Sequence, residues 1–177
     1  VDINASTEVT VDSDTVTFGS SNASDPLVII KNTTNDTNAS RLRFVKDKGA
    51  AGADGDDIGV IEFVGDDAAQ AQTTFGKILT EVGEADNTDE AGKMSLQVAS
   101  SDGTTTGLEN GIVLTGHATG DYVDVTLGNG TSSTVTVAGN LTVNGTTTTV
   151  NATTVEIQNA FKFEGATADG YETTLST

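Results

Sequence analysis

A long alternating pattern of hydrophobic residues runs through the C-terminal third of the chain. Eight large hydrophobic side chains between positions 135 and 163 lie at odd positions, and Thr, Asn and Gly fill most of the rest. Because successive side chains of a strand point to opposite faces, this parity indicates extended chain with one narrow apolar edge. The members of this odd-numbered stripe are Val135, Val137, Leu141, Val143, Val155, Ile157, Phe161 and Phe163.

Shorter patterns of the same kind predict further strands near the start of the chain. Hydrophobic positions alternate at Val9 and Val11 and again at Val16 and Phe18, and a hydrophobic run covers 27–30. Asp, Ser, Asn and Gly residues lie between them, as expected of tight turns. We therefore expect residues 1–40 to form short strands, and we interpret them as an N-terminal shaft segment.

Residues 41–107 have a different character and predict a globular β module. Alternation around 42–44, 61–63 and 94–98 predicts three strands. For 74–82 we expect a strand rather than a helix, because β-branched and apolar residues dominate it. The links 48–57 and 83–92 are rich in Gly, Ala, Asp and Asn and are expected to be exposed loops.

Residues 108–177 predict a Thr-rich C-terminal shaft segment that includes the odd-numbered stripe. Alternation at 112–114 and 123–127 predicts two strands, separated by a turn at 116–121. Both ends of the chain interrupt strand-like patterns, so we expect a segment truncated at both ends from a longer polypeptide. The whole chain is predicted to be all-β.

Composition limits how such strands can be buried. The chain has 177 residues, of which 35% are hydrophobic and 5% aromatic, and it contains no cysteine. A compact monomer of this size needs apolar side chains from many directions, whereas these lie mainly in thin stripes. Such stripes suit a sandwich, a solenoid or an intertwined oligomer.

The net charge argues against two classes of partner. Twenty-six acidic and eight basic residues give a formal charge of −18. Affinity for nucleic acid comes mainly from clusters of Lys and Arg, and no such cluster occurs. The longest apolar run, 27–30, is far too short to span a bilayer. We therefore expect neither nucleic-acid binding nor membrane insertion.

No combination of residues predicts catalysis. The single histidine, His117, lies between Gly116 and Ala118 in a predicted turn, with no acid or nucleophile partner evident from the sequence. No serine lies in a Gly-x-Ser-x-Gly elbow. We expect a protein that is not an enzyme, and we expect no cofactor other than calcium in the acidic loops.

Two acidic loops are the only candidates for metal binding. Carboxylate oxygens at short loop spacing suit calcium, although neither loop follows the twelve-residue EF-hand pattern. Solvated acidic loops are the interpretation that we favour, and calcium binding is the alternative. The candidate ligands are Asp54, Asp56 and Asp57 in the first loop and Asp86, Asp89 and Glu90 in the second.

Several stretches resemble a known family. Residues 139–157, GNLTVNGTTTTVNATTVEI, resemble the repeated Thr-rich segments of tail fibre and related appendage proteins of tailed bacteriophages, particularly phages of marine bacteria. Residues 161–175 resemble the same proteins. The stretches 41–49, 58–63 and 75–78 look like a β module inserted between shaft segments of such fibres.

The resemblance implies an elongated homotrimeric fibre with a β-prism or triple β-helix-like shaft. In such a fibre the odd-numbered stripe would form the trimer core, packing on two copies of itself and closing open β edges. The expected location is the virion tail fibre. The expected partners are other copies of the chain, other virion tail proteins and, indirectly, a host surface receptor.

Two alternatives stay open at the level of sequence. A cell-surface adhesin or surface-layer segment would use similar acidic, Thr-rich β repeats, and occupied Asn-x-Ser/Thr sequons would favour it. A receptor-binding, glycan-binding or glycan-cleaving fibre module would need a cleft with converging acids or aromatic side chains. The chain has no Trp and two Tyr, which weakens the second alternative.

Overall fold

A single antiparallel sheet is the main element of the computed structural model, which describes residues 9–144. Its strands follow one another in space in the order in which they occur along the chain. They are β1 (Asp57–Asp66), β2 (Gln72–Glu84), β3 (Ala91–Ser101), β4 (Thr106–His117) and β5 (Gly120–Leu127). No helix occurs within residues 9–144, and none there could cross a membrane. The predicted all-β class is therefore confirmed.

Aspartate side chains shape two of the four hairpin connections. Between β1 and β2, Asp67 Oδ1 accepts the N–H groups of Ala69 and Ala71 at 2.8 and 2.9 Å. Between β3 and β4, Asp102 Oδ1 accepts the N–H groups of Thr104 and Thr105, both at 2.8 Å. Asp favours turns because its short side chain can bond the backbone a few residues onward.

The register sorts the strand residues onto two unlike faces. One row of the sheet pairs Ile61 with Ile78, Ile78 with Leu96, Leu96 with Ile112, and Ile112 with Leu127. We call the side of the sheet that carries this row the aliphatic face; Met94, Leu114 and Val125 form a second row beside it. The other side, the polar face, carries Glu62, Lys77, Glu81, Lys93, Gln97 and Asp124.

Little of this sheet is enclosed. Among the described residues, Leu79 is the one buried hydrophobic side chain and Ser95 the one buried polar residue. The two are directly paired between β2 and β3, in the row Val60, Leu79, Ser95, Val113 on the polar-face side. The described sheet is a single layer, with no second sheet or helix packed on it from within residues 9–144.

The short strands predicted before residue 57 are wrong for the described residues. No strand occurs between residues 9 and 56, including the predicted strands at Val9–Val11, Val16–Phe18, 27–30 and 42–44. Alternation alone does not make a strand, because each extended segment also needs a neighbour to take up its backbone hydrogen bonds. Residues 1–8 lie outside the described part.

The strands predicted between residues 57 and 127 are confirmed. The alternations at 61–63, 74–82, 94–98, 112–114 and 123–127 all lie inside strands of the sheet, and the predicted turn at 116–121 contains the β4–β5 connection. The sheet continues through the predicted boundary between residues 107 and 108. Contacts divide the chain into two units, Val1–Val135 and Thr136–Thr177.

The odd-numbered stripe is described only in part. Val135, Val137, Leu141 and Val143 are exposed, and no strand occurs between residues 128 and 144, so the strand predicted from their alternation is wrong for the described residues. Val155, Ile157, Phe161 and Phe163 lie outside the described residues. The assignment of this stripe to a trimer core stays a prediction.

Candidate functional site

The two acidic loops lie next to each other at one end of the sheet. The Gly55 N–H donates to the Val82 carbonyl at 2.8 Å, and the Val82 N–H donates to the Asp56 carbonyl at 2.9 Å. The Ala85 N–H donates to Asp54 Oδ1 at 2.9 Å, across 31 residues of chain. The first loop is therefore fastened to the end of β2 and to the start of the second loop.

Backbone and side-chain groups of the protein already bind the carboxylates that lie where the two acidic loops meet. Asp56 Oδ2 forms an ion pair with Lys48 Nζ and accepts the Ala53 N–H at 2.9 Å. The Lys48 contact and, after it, the Ala53 hydrogen bond hold the pKa of Asp56 below its ordinary value. Glu84, which the sequence did not single out, accepts the N–H groups of Ala85 and Asp86 at 3.0 and 3.1 Å.

The other calcium candidates are not brought into one ligand set. Asp57 is the first residue of β1. The Asp89 N–H donates to the Asp86 carbonyl at 3.3 Å, and Glu90 is exposed immediately before β3. Within residues 9–144 no group of three or more His, Asp or Glu side chains is arranged to hold a metal ion. Calcium binding by these loops stays a hypothesis.

His117 has an acidic partner that the sequence did not reveal. Its Nε2 lies 2.8 Å from Asp124 Oδ2, and its ring stacks on Tyr122 with centroids 4.1 Å apart. The three residues are brought together by the antiparallel pairing of β4 with β5, where Thr115 pairs with Asp124. The alternation at 123–127 together with the turn at 118–119 was the signal for this juxtaposition.

A polar cleft of about 780 Å³ opens where β3 ends and β4 begins, beside the segment that follows β5. Hydroxyl and amide side chains supply much of its wall, including Ser100, Thr106, Asn110 and Asn129. Asn129 is held by a hydrogen bond from its side-chain nitrogen to Glu109, and its backbone N–H donates to Ser133 Oγ at 2.8 Å. The cleft can offer hydrogen bonds to a hydroxyl-rich molecule, but no aromatic side chain lines it.

A second cleft is mainly apolar and lies on the aliphatic face. It measures about 460 Å³, and the segment Arg41–Phe44 forms one wall while Ile61, Ile78 and Met94 form the other. Phe44 lies against Gly59, where a β-carbon would come within 2.8 Å of the Phe44 β-carbon. The segment predicted as a strand at 42–44 therefore contacts the sheet through a side chain rather than through strand pairing.

Comparison with known proteins finds no relative of this chain. No family model matches the chain, and neither the curated proteins nor the solved structures that were searched contain a match.

Proposed function

We propose that this chain is a non-enzymatic structural segment of a bacteriophage tail fibre that works as a homotrimer. Its role would be mechanical, supporting host recognition and attachment by holding a receptor-binding part of the fibre away from the virion. The partners in this proposal are two further copies of the chain, neighbouring virion tail proteins and, indirectly, a host receptor.

The observation that carries the proposal is the lack of an enclosed core in the described residues. A sheet with one buried hydrophobic side chain, Leu79, leaves a large part of its apolar surface exposed to water. Burial of apolar area is the main favourable term in folding, so the sheet gains stability if other chains cover it. The Thr-rich segments, the acidic charge and the resemblance of residues 139–157 to fibre segments are consistent with this role.

Measurement of the mass and shape of the chain in solution tests the proposal. We expect light scattering coupled to size exclusion to give three times the 18.0 kDa chain mass, and we expect electron microscopy to show elongated particles. A compact monomer at every concentration tested would contradict both parts of the proposal.

A second candidate function rests on the polar cleft beside Asn129. Its hydroxyl and amide lining favours a role in binding a saccharide of the host surface, as in the receptor-binding alternative. Titration with neutral oligosaccharides, followed through the amide NMR signals of Ser100, Asn110 and Asn129, tests it. Shifts confined to these residues would support binding, and their absence at millimolar sugar would count against it.

A further inference from the structure

The aliphatic face presents an unbroken apolar row across the whole sheet. Each of the five strands contributes one aliphatic residue, and direct pairing links every residue to the next. A second row adds Thr80, Met94, Leu114 and Val125. The first row consists of Ile61, Ile78, Leu96, Ile112 and Leu127.

Exposure along β3 is the reverse of what a sheet in water should show. Met94, Leu96 and Val98, on the aliphatic face, are 38%, 39% and 58% exposed. Ser95, which points to the polar face between them, is 1% exposed. Exposed hydrophobic residues are common singly, but a contiguous patch on one side of a sheet marks a surface that binds something.

Charge restricts what that surface can meet. Most ionisable side chains in the middle of the strands lie on the polar face, where Lys93 pairs with Glu81 at 3.0 Å and Lys77 lies opposite Glu62. Glu109 is the exception: it lies opposite Val98, on the aliphatic face, and accepts a hydrogen bond from the Asn129 side chain. The two aliphatic rows contain no ionisable residue. In a chain of net charge −18, two copies can approach here without bringing carboxylates together in a dry interface, where unpaired charge is costly.

The area of the face is large enough for a specific interface. Strands lie about 4.8 Å apart and rise about 3.3 Å per residue, so five strands of roughly ten residues make a face of about 800 Å². The segment Arg41–Phe44 lies against the β1–β2 side of this face and would form part of the interface there. A standard protein interface buries about 800 Å² on each partner. Sheets also pack well face to face through interdigitating apolar side chains.

We propose that the aliphatic face is an interface between copies of this chain, occupied by the same face of neighbouring copies. The interface is separate from the odd-numbered stripe of residues 135–163, and it supplies the part of the core that the isolated sheet lacks. The inference rests on the proposed function only in requiring that the chain self-associates.

A pair of charge substitutions on β3 tests which face is buried. Leu96→Glu places a carboxylate in the middle of the aliphatic face, whereas Gln97→Glu places the same group on the polar face one residue away. We expect Leu96→Glu to raise the concentration for half-association at least about 100-fold, because an unpaired charge would be buried. We expect Gln97→Glu to change it less than about 3-fold. Sedimentation velocity over a concentration series measures both, and circular dichroism reports the sheet content.

The outcomes separate this inference from the proposed function. If the unmodified chain associates and both variants associate equally well, the aliphatic face is not the interface, while the fibre proposal stands. If the unmodified chain is monomeric throughout, both are overturned. If both variants dissociate equally while keeping their sheet content, the assignment to one face is wrong.

Thiol labelling on the edge strand gives a test that does not depend on a buried charge. The chain has no cysteine, so Leu127→Cys and Thr126→Cys each introduce a single thiol on opposite faces of β5. We expect the association of chains to slow maleimide labelling of Leu127→Cys at least about 10-fold relative to dilute chains, and to leave Thr126→Cys unchanged. Equal protection of the two thiols, or protection of neither, would overturn the proposal even if the Leu96→Glu chain does not fold.

Discussion

Gly59 is the residue whose lack of a side chain lets the segment before β1 reach the sheet. An added β-carbon would lie 2.8 Å from the Phe44 β-carbon and 3.0 Å from its Cγ, closer than carbon atoms approach. We expect Gly59→Ala to push Phe44 off the sheet and to lower the free energy of unfolding by about 1 kcal/mol, since half-exposed Phe44 would lose its remaining burial. Trypsin cleavage after Arg41 and Arg43 should become faster.

Gly92 provides the matched control for this prediction. It lies in β3, and nothing comes within 4 Å of the position that its β-carbon would take. We expect Gly92→Ala to leave trypsin cleavage after Arg43 unchanged. A similar increase in cleavage for Gly59→Ala and Gly92→Ala would mean that Phe44 does not hold the segment in place.

Asp56 should give a local response to acid. Its pKa is lowered by the Lys48 contact and by the Ala53 N–H, so these contacts favour the ionised carboxylate. Their stabilisation is present above the ordinary pKa of 3.8 and is lost as the pH falls through the lower folded-state pKa. We expect carboxyl-carbon NMR to give Asp56 a titration midpoint below 3.8.

Replacement of Lys48 tests whether its contact is the larger of the two causes that lower the pKa of Asp56. Lys48→Met keeps a long side chain without the charge, and we expect it to raise the Asp56 midpoint towards the ordinary value without reaching it, because the Ala53 hydrogen bond at 2.9 Å persists. An unchanged midpoint would show that the ion pair does not form in solution.

At the scale of the strand, the two leucines Leu79 and Leu96 should differ in what they contribute to a single chain. Leu79 is 9% exposed in β2, whereas Leu96 is 39% exposed in β3. In dilute, dissociated chains we expect Leu79→Ala to cost about 2 kcal/mol and Leu96→Ala less than about 1 kcal/mol, because less apolar area is lost from the partly exposed site. Urea unfolding followed by circular dichroism measures both.

The same chemical change at both sites makes the comparison direct. A larger cost for Leu96→Ala than for Leu79→Ala in dissociated chains would show that the aliphatic face is covered within one chain. That result would also remove the reason for placing a second copy there.

The strands that sequence reasoning could predict are those whose neighbours along the chain are also their neighbours in space. β1 to β5 form hairpins, so alternation and turn residues such as Asp102 are enough to locate them. The alternation at Val16–Phe18 has the same form but lacks an adjacent partner among the described residues, and no strand results. Alternation indicates a preference for extended backbone conformation, whereas a strand also needs a neighbouring strand with which to form its backbone hydrogen bonds.

The candidate surfaces were harder to predict, because they depend on the register between strands. The calcium candidates Asp54 and Asp56 were visible as an acidic cluster. The contact of Asp56 with Lys48 of the same loop, and that of Asp54 with Ala85 31 residues away, became evident only in the structure. The hairpin turn predicted at 116–121 brings His117 and Asp124 near each other, but their 2.8 Å contact depends on the register of β4 and β5. The aliphatic row became evident only when pairing placed Leu96 opposite Ile112.

For the whole molecule, association has to overcome the repulsion between chains that each carry a charge of −18. In the proposed interface, the aliphatic face would bring copies together through uncharged rows, and the acidic loops and the polar face would stay outside it. Between about 0.01 and 0.15 M ionic strength the Debye length falls from about 30 to about 8 Å, which screens this repulsion. We therefore expect added sodium chloride to strengthen association over this range, by about 10-fold or more in the concentration for half-association.

The direction of this salt response distinguishes an apolar interface from one built on ion pairs. Ion pairs such as Lys93 with Glu81 would be weakened by salt if equivalent pairs joined the chains, so association that weakens with salt would contradict an interface through the aliphatic face. The Leu127→Glu variant serves as the control, because it places a carboxylate at the end of the aliphatic row. If that row is the interface, we expect this variant to be dissociated at low salt and only partly associated at 0.15 M. Sedimentation velocity on both chains, with sheet content checked at each salt concentration, separates screening of charge from a change in the fold.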